Sequence, residues 1–197
     1  MIEAIILAAG ESRRMGRLKP LIKIEGKTFL RHIVDQCRKA AIAKIHIVVG
    51  YEADNIIKAC GCDANFVRNA NYKTGQFSSL QCGIRSLGKQ CQAAVICLGD
   101  QPHIRSTWIK SLIDTYEKTG APIVIPRYDG RHGHPVLYSS QIFDTILTMN
   151  SSQTARDATK HLSQSIEYVT IKDDGILTDA DTGEELDKII ERMAKCS

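Results

Sequence analysis

The sequence is organised around residues 5–20, which are Ile5-Ile6-Leu7-Ala8-Ala9-Gly10-Glu11-Ser12-Arg13-Arg14-Met15-Gly16-Arg17-Leu18-Lys19-Pro20. An apolar run from Ile2 to Leu7 leads into this stretch and indicates a buried strand. Two alanines and a glycine end the run, and hydroxyl-bearing and cationic residues follow it. Small residues let backbone N–H groups approach an anion closely, and the cations supply the opposite charge. The order therefore predicts a strand that leads into an anion-binding loop.

The predicted loop differs from two well-known phosphate-binding loops. Gly10 and Gly16 are too far apart for G-x-G-x-x-G, and Gly16 is followed by Arg17 where G-x-x-x-x-G-K-[ST] requires a lysine. We expect a triphosphate as the ligand of this loop, with Arg14 and Lys19 facing its phosphates as catalytic cations. A tight turn with solvated cations is the alternative.

Length and composition are typical of one globular domain, with 197 residues of which 43% are hydrophobic and 24% charged. The net charge of +4 is modest, and the sequence lacks the long basic run with interleaved aromatic residues that nucleic-acid binders usually have. We therefore expect small-molecule partners and no nucleic acid.

The sequence shows no membrane or secretion signal. No stretch approaches the roughly 20 apolar residues that cross a bilayer, and the first residues lack the basic and apolar regions of a signal peptide. We therefore expect a cytoplasmic protein without a membrane partner. The seven cysteines are an odd number, and several lie in apolar stretches, so we expect free thiols in a reducing compartment.

Apolar periodicity predicts that strands and helices alternate along the chain. The predicted strands are 2–7, 44–49, 64–68, 93–98, 122–126 and 166–171, with a short extended piece at 21–24. The predicted helices are 28–41, 54–60, 77–84, 107–118, 140–149, 154–162 and a closing helix to about 194. This alternation predicts an α/β fold with a mainly parallel sheet. Residues 127–138 break the alternation, and we expect them to form a hairpin-like excursion over the site. Their glycines, histidines and arginines can recognise an acidic substrate, although His134 can equally be structural.

An aspartate follows the predicted central strand 93–98, in the sequence Gly99-Asp100-Gln101-Pro102. Ligands of open parallel sheets bind at the carboxyl ends of the strands, which places Asp100 close to the first loop. A triphosphate needs a divalent cation to neutralise its charge, so we expect Asp100 to bind Mg²⁺ or Mn²⁺. The alternative is a helix cap or a turn residue.

Two further segments contribute candidate binding residues. Gly75, followed by the hydroxyls of Ser78 and Ser79 at a predicted helix start, can bind an anion or a base edge through free N–H groups, although a simple cap is an equal alternative. Near the end of the chain, Asp179 and Asp181 alternate, so both side chains lie on one side of an extended segment and are candidate metal ligands. Alternatively, Asp181 caps the closing helix and Glu184 completes a capping box.

These motifs resemble those of the molybdenum cofactor nucleotidyltransferase family, and most closely those of its cytidylyltransferase members. The first loop matches Leu7-Ala8-Ala9-Gly10-x-Ser12-x-Arg14-Met15-Gly16 followed by Lys19. The segment 75–84 is similar to G-x-x-S-S-L-x-x-G-L, and 99–102 to G-D-Q-P. The resemblance also covers Gly133-His134-Pro135, and 179–185 is similar to D-I-D-T-P-E-D.

The resemblance implies a three-layer Rossmann-like sandwich of the nucleotide-diphospho-sugar transferase type, with helices on both faces of the sheet. It implies transfer of CMP from CTP to a phosphate-bearing acceptor, molybdopterin, with release of pyrophosphate. The implied nucleotide-binding residues are Leu7, Ala8, Ala9, Gly10, Ser12, Gly75, Ser79 and Gly99. The implied acceptor-binding residues are Gln101, Pro102, Gly133, His134 and Arg156. A molybdenum enzyme that receives the cofactor is an implied partner.

Several alternatives stay open at this point. The family's G-D-x-G-x-R run is replaced by residues 151–156, which keep only the arginine. Other acceptors are therefore possible, namely a sugar 1-phosphate, methylerythritol phosphate or phosphocholine, as is another triphosphate such as GTP. The methyl group of Ala9, where related guanylyltransferases tend to have glycine, favours CTP. A non-catalytic cofactor-delivery protein is a further alternative. A nicotinamide-binding oxidoreductase is disfavoured because G-x-G-x-x-G is missing.

Overall fold

A computed structural model of the chain describes residues 1–12, 16–155, 157–158 and 166–194. The strands are β1 Ile2–Ala8, β2 Lys23–Ile24, β3 Lys27–Thr28, β4 Ile45–Val49, β5 Asn65–Arg68, β6 Ala93–Leu98, β7 Ile123–Tyr128, β8 Arg131–His132, β9 Val136–Ser139 and β10 Ile166–Thr170. The helices are α1 Phe29–Lys39, α2 Ala53–Cys60, α3 Gln76–Arg85, α4 Ser106–Thr119, α5 Phe143–Thr148 and α6 Gly183–Ala194.

The main sheet has the strand order β10-β7-β9-β6-β1-β4-β5, and β8 pairs with β7. Strands β5, β4, β1 and β6 are parallel neighbours, with Ile6 of β1 opposite Ile47 of β4 and Cys97 of β6. Strand β9 is antiparallel to both of its neighbours, and β10 is parallel to β7. The predicted buried parallel strands are confirmed, and their carboxyl ends meet at one edge of the sheet.

Helices cover both faces of the sheet. Alternate residues of β1, β4 and β6 face one side of the sheet, where they pack against α1, α2 and α4. Ile33, Ile56 and Ile109 of these helices are fully buried. On the opposite face, the intervening strand residues pack against α3 and α5 through Phe77 and Ile146. The expected three-layer α/β sandwich with helices on both faces is therefore confirmed.

A third, smaller apolar cluster attaches the closing helix α6 to the beginning of the chain. Leu186 and Ile189 of α6 pack with Ile24 of the β2–β3 hairpin and with Phe29 at the start of α1. The remaining members of this cluster are Ile22 and Ala180. This packing brings the last segment of the chain beside the first loop.

The segment 127–138 differs from the prediction. A short hairpin is present, because β7 pairs with β8 through Arg127 and His132. However, Val136–Ser139 is a fully buried strand that lies between β6 and β7 within the main sheet. The apolar residues Val136 and Leu137 are buried against both layers, which explains why this half of the segment joins the sheet instead of leaving it.

Smaller differences concern element ends. Residues Lys19–Leu21 form a 3-10 turn, so the predicted extended piece is reduced to β2. The predicted helix 140–149 is divided into a 3-10 turn, Ser140–Ile142, and α5. Most of the predicted helix 154–162 lies outside the described residues. No helix within the described ranges has the length and apolar character that a membrane span requires.

Replacing Gly83 by alanine tests how tightly α3 packs on the sheet. A Cβ atom at Gly83 would lie 2.6 Å from Cγ2 of Ile5 and 3.1 Å from Cγ2 of Val48. We expect Gly83→Ala to lower the free energy of unfolding by about 1–3 kcal/mol. The added methyl group would overlap Ile5 and Val48, so the packed strands or the helix would have to move. The same change at Gly183, where nothing lies within 4 Å, is the matched control and leaves stability unchanged or raises it. Equal urea midpoints for the two variants would contradict this packing.

Candidate active site

A cleft of about 290 Å³ lies at the carboxyl edge of the sheet, between the ends of β1 and β6 and the start of α3. All eight residues that the resemblance implied for nucleotide binding contribute to its lining, together with Lys19 and Asp100. The lining residues are Leu7, Ala8, Ala9, Gly10, Ser12, Lys19, Pro20, Tyr72, Gly75, Gln76, Ser79, Gly99 and Asp100. The structure therefore brings the first loop, the start of α3 and the end of β6 into one site.

Close backbone approach at the end of β6 draws Asp100 to the first loop. The Gly99 N–H group donates to the Leu7 carbonyl at 2.9 Å. A Cβ atom at Gly99 would lie 2.9 Å from the Leu7 carbonyl oxygen and 3.1 Å from Cβ of Ala8. Only glycine fits this contact, so Gly99 keeps the acidic strand end beside the loop.

Lys19 joins the two acidic segments. Its ammonium group lies 3.4 Å from Oδ2 of Asp100 and also pairs with Oδ1 of Asp181. The Lys19 backbone N–H group donates to Oγ of Ser12 at 3.2 Å, which ties the lysine to the loop. Lys19 is 7% exposed, so its charge is held in place by the carboxylates and not by water. The expected proximity of Lys19 and Asp100 is confirmed.

Asp181 reaches the site because the segment before α6 is fixed at both ends. The Ala180 N–H group donates to the Asp100 carbonyl at 3.1 Å. Thr182 caps α6, since Oγ1 of Thr182 accepts from the Glu185 N–H group at 3.2 Å and Oε2 of Glu185 accepts from the Thr182 N–H group at 2.8 Å. The alternative of a capping box between Asp181 and Glu184 is therefore wrong, and the Asp181 carboxylate pairs with Lys19.

Asp179 is oriented by a buried amide. Nε2 of Gln101 donates to Oδ1 of Asp179 at 2.8 Å. The other amide atom, Oε1 of Gln101, is buried and has no hydrogen-bond partner among the described residues. Pro102, the next residue, lines a different groove with His103 and Arg105, so it lies apart from the cleft.

The acidic side chains perturb one another. Burial raises the pKa of Asp100, the charge of Asp179 raises it further, and Lys19 opposes both effects. Burial also raises the pKa of Asp179, as do the charges of Asp181 and Glu185, while the hydrogen bond from Gln101 lowers it. No group of three metal-ligating side chains is already gathered at metal-binding spacing within the described part of the chain. Lys19 serves as the cation for these carboxylates.

His134 lies on the acidic side of the site. Burial lowers the pKa of His134 to about 4, against a smaller opposing effect of the Asp100 charge. Its backbone N–H group donates to the Ile176 carbonyl at 3.0 Å, and Gly133 N–H donates to the Pro126 carbonyl at the same distance. At neutral pH the imidazole is uncharged, so it can offer a hydrogen bond but no positive charge.

Two predicted site residues, Arg14 and Arg156, lie outside the described residues. Sequence analysis missed Tyr72 and Gln76, which line the cleft, and Asn69, whose amide donates to the hydroxyls of two serines in α3. A turn-rich polar run spans these three positions, and nothing in its composition distinguishes the side chains that point into the cleft.

Solved structures of other proteins share the fold. The nucleotidyl transferase Mth528 from Methanothermobacter thermautotroptrophicus has a TM-score of 0.86 at 20% identity, over 100% of this chain and 99% of that one. Rv0371c from Mycobacterium tuberculosis H37Rv, in complex with manganese, has a TM-score of 0.77 at 21% identity, over 96% and 98%. CMP:2-keto-3-deoxy-manno-octonic acid synthetase, in complex with CTP, has a TM-score of 0.75 at 15% identity, over 100% and 99%. At these identities the likeness concerns the fold alone.

A curated relative matches part of the chain. The bifunctional protein GlmU of Shouchella clausii (strain KSM-K16) is 33% identical over 124 residues, which are 62% of this chain and 27% of GlmU. The chain thus spans only about a quarter of the length of that relative.

A family match covers most of the chain. The model of the MobA-like NTP transferase domain matches residues 4–166, a range that contains the first loop, the start of α3 and Asp100. The chain therefore belongs to the MobA-like NTP transferase family and is a nucleotidyltransferase domain.

Proposed function

We propose that the chain transfers CMP from CTP to the phosphate group of molybdopterin and releases pyrophosphate. The observation that supports this most is the cluster of Lys19 with Asp100 and Asp181 at the mouth of the cleft. One cation from a phosphate-binding loop and two carboxylates from other segments are the groups that a metal-bound triphosphate requires.

The triphosphate lies against the first loop in this proposal. Backbone N–H groups near Gly10 and the hydroxyl of Ser12 face the phosphates, and Lys19 adds positive charge. Gly75 and Ser79 hold the base on the opposite wall of the cleft. Arg14 is proposed as a second cation for the phosphates.

Asp100, Asp179 and Asp181 are proposed to hold Mg²⁺ or Mn²⁺. Their oxygens are the hard ligands that these ions prefer. Burial, and then neighbouring acidic charge, raises the pKa values of Asp100 and Asp179, and a bound divalent cation would favour their ionised forms. The manganese complex of Rv0371c, a protein of the same fold, supports the choice of ion. When bound, the metal neutralises charge on the triphosphate. With Asp100 and Asp181 holding the metal, Lys19 would be able to face the phosphates.

The reaction needs positioning and charge stabilisation more than a base. A phosphate of the acceptor is already anionic near neutral pH, so it can attack the α-phosphorus without losing a proton to the protein. Lys19 then stabilises the charge that develops on the α-phosphate and on the leaving pyrophosphate. We assign acceptor contacts to Gln101, which follows Asp100 in the sequence, to His134, which lies near enough to Asp100 to feel its charge, and to Gly133 and Arg156.

Ala9 supports CTP over a purine triphosphate. Ala9 lines the cleft and is 4% exposed, and in this proposal its methyl group narrows the space for a larger base. One methyl group is worth about 1–3 kcal/mol, so we expect a preference for CTP and not absolute exclusion of GTP. The CTP complex of a structural neighbour supports the same choice. A molybdenum enzyme is the proposed recipient of the product.

Pyrophosphate release across the four triphosphates tests the substrates. We expect release only when CTP, molybdopterin and Mg²⁺ or Mn²⁺ are present together. Release with a sugar 1-phosphate, methylerythritol phosphate or phosphocholine would replace the proposed acceptor, and release with GTP would replace the nucleotide. Binding of molybdopterin without release under any condition would indicate a delivery protein.

Removing the clustered cation tests the catalytic assignment. We expect Lys19→Ala to lower kcat by about a hundred- to a thousand-fold, because one preorganised charge is lost from the transition state, and Asp100→Ala to do the same. Lys23→Ala, which removes an exposed lysine four positions along the same segment, is the matched control and should keep the normal rate. Normal turnover by either site variant at saturating nucleotide would contradict the assignment.

Asp179→Asn separates stability from activity. The substitution keeps the oxygen that accepts the hydrogen bond from Gln101. It removes a carboxyl group whose ionisation is opposed by burial and by the charges of neighbouring acids. The pKa of Asp179 is higher in the folded than in the unfolded protein, so the unfolded state loses this proton first as the pH rises. Stability therefore falls between the unfolded pKa of about 3.9 and the folded pKa, and nothing is lost below about 3.9. In metal-free urea unfolding we expect the variant to be more stable than wild type at pH 7, with the difference vanishing in acid.

Metal binding gives a second measurement on the same variant. Mn²⁺ should raise the Tm of the wild type and raise that of Asp179→Asn much less, because one ligand has lost its charge. Asp187→Asn, which changes an exposed residue of α6, is the control and should match the wild type in both measurements. An equal Mn²⁺ effect on Asp179→Asn would remove Asp179 from the metal site.

A further inference from the structure

A short chain of hydrogen bonds in the wall of the cleft fixes the direction of each donor. The Asn71 backbone N–H group donates to Oδ1 of Asn69 at 2.9 Å. A backbone N–H group cannot accept, so this contact identifies the oxygen of the Asn69 amide and leaves its NH₂ group as the donor. That NH₂ group donates to Oγ of Ser78 at 2.9 Å and to Oγ of Ser79 at 3.0 Å.

The two serines differ in where their own protons go. The Ser78 hydroxyl donates to the Gly75 carbonyl at 2.7 Å and also lies 3.0 Å from the Asn71 carbonyl. The Ser79 hydroxyl meets no acceptor within the part of the chain that the structure describes. Ser79 lines the cleft and Ser78 does not. With one lone pair engaged by Asn69, the Ser79 hydroxyl has its proton available for a group inside the cleft.

The amide of Asn69 is held firmly enough to impose this direction. Asn69 is 6% exposed, and its backbone N–H group donates to the Val49 carbonyl at 2.8 Å. Turning the amide over would break the contact with Asn71 N–H. It would also require the Ser78 proton to leave the Gly75 carbonyl. The observed orientation satisfies all of these groups together.

We propose that Asn69 is a positioning residue that makes the Ser79 hydroxyl a hydrogen-bond donor toward the bound nucleotide. The atom that meets Ser79 is then an acceptor, such as a base carbonyl or an unprotonated ring nitrogen, and not an amino group. Cytosine offers O2 and N3 as acceptors and its N4 amino group as a donor, so a cytosine base binds with its amino group turned away from Ser79. This inference rests on the proposed function in one respect, that a nucleoside triphosphate occupies the cleft.

Asn69→Asp reverses the direction of the hydrogen bond between residue 69 and Ser79, with almost no change in the shape of the side chain. One carboxylate oxygen still accepts from Asn71 N–H, but the other now accepts from the serine hydroxyls, so Ser79 presents a lone pair to the nucleotide. We expect the Kd of CTP alone, measured by titration calorimetry, and the KM of CTP to rise about ten-fold. At saturating CTP, kcat should change less than about three-fold, since the reacting phosphates lie elsewhere.

Two further variants distinguish positioning from general support of the fold. Ser78→Ala removes the other partner of the same amide, outside the cleft, and should leave the Kd within about two-fold. In a Ser79→Ala background, Asn69→Asp should weaken binding far less, because the hydroxyl through which it acts is gone and only the added charge still acts. Equal weakening by Asn69→Asp in both backgrounds, or unchanged binding in the single variant, overturns the proposal.

Folding and substrate identity are controlled separately. Thermal unfolding of each variant reports whether it folds. If the buried charge of Asn69→Asp prevents folding, Asn69→Ala replaces it in the same cycle, with an expected increase in Kd of about three-fold that again disappears with Ser79→Ala. If the wild type binds GTP, ATP or UTP instead of CTP, the proposed substrate is wrong and the cycle is measured with that nucleotide. If it binds none of the four, both proposals fail.

Discussion

Burial of acidic side chains close to one another is the constraint on which the rest of the site depends. Asp100, Asp179 and Asp181 converge on one edge of the sheet, and Lys19 pairs with two of them. Apolar side chains of similar volume would serve stability as well or better. Carboxyl groups with raised pKa values at the mouth of a cleft are typical of functional sites.

The fold supplies these groups from separate segments by different means. Parallel pairing of β1 with β6 places the first loop and Asp100 at the same edge, and the close backbone contact at Gly99 keeps them together. The opposite wall comes from α3, which lies so near the sheet that Gly83 leaves no room for a methyl group. The capping box of α6 is formed by Thr182 and Glu185, and Asp181, just before it, pairs with Lys19.

Much of this arrangement could be predicted from the sequence, because continuous apolar runs identify β1, β4 and β6 and a strand end identifies Asp100. Strand β9 was missed, since a short apolar run after a glycine-rich turn does not reveal whether it enters a sheet. Whether Asp181 or Thr182 caps α6 could not be predicted, because the two positions differ by one residue and sequence spacing does not define a helix end that closely. The role of Asn69 depends on which groups donate and which accept in its hydrogen bonds, and only the surrounding contacts define this.

The attachment of α6 has a consequence for how activity can be lost. The pair Lys19 and Asp181 joins positions 162 residues apart, and α6 is held by an apolar cluster separate from the two main cores. Partial detachment of this helix would therefore separate Asp181 from Lys19 and disrupt the site, while both faces of the sheet stay packed. Inactivation by heat or mild denaturant can precede global unfolding in such an architecture, and an intact far-ultraviolet signal would then be a poor indicator of a competent enzyme.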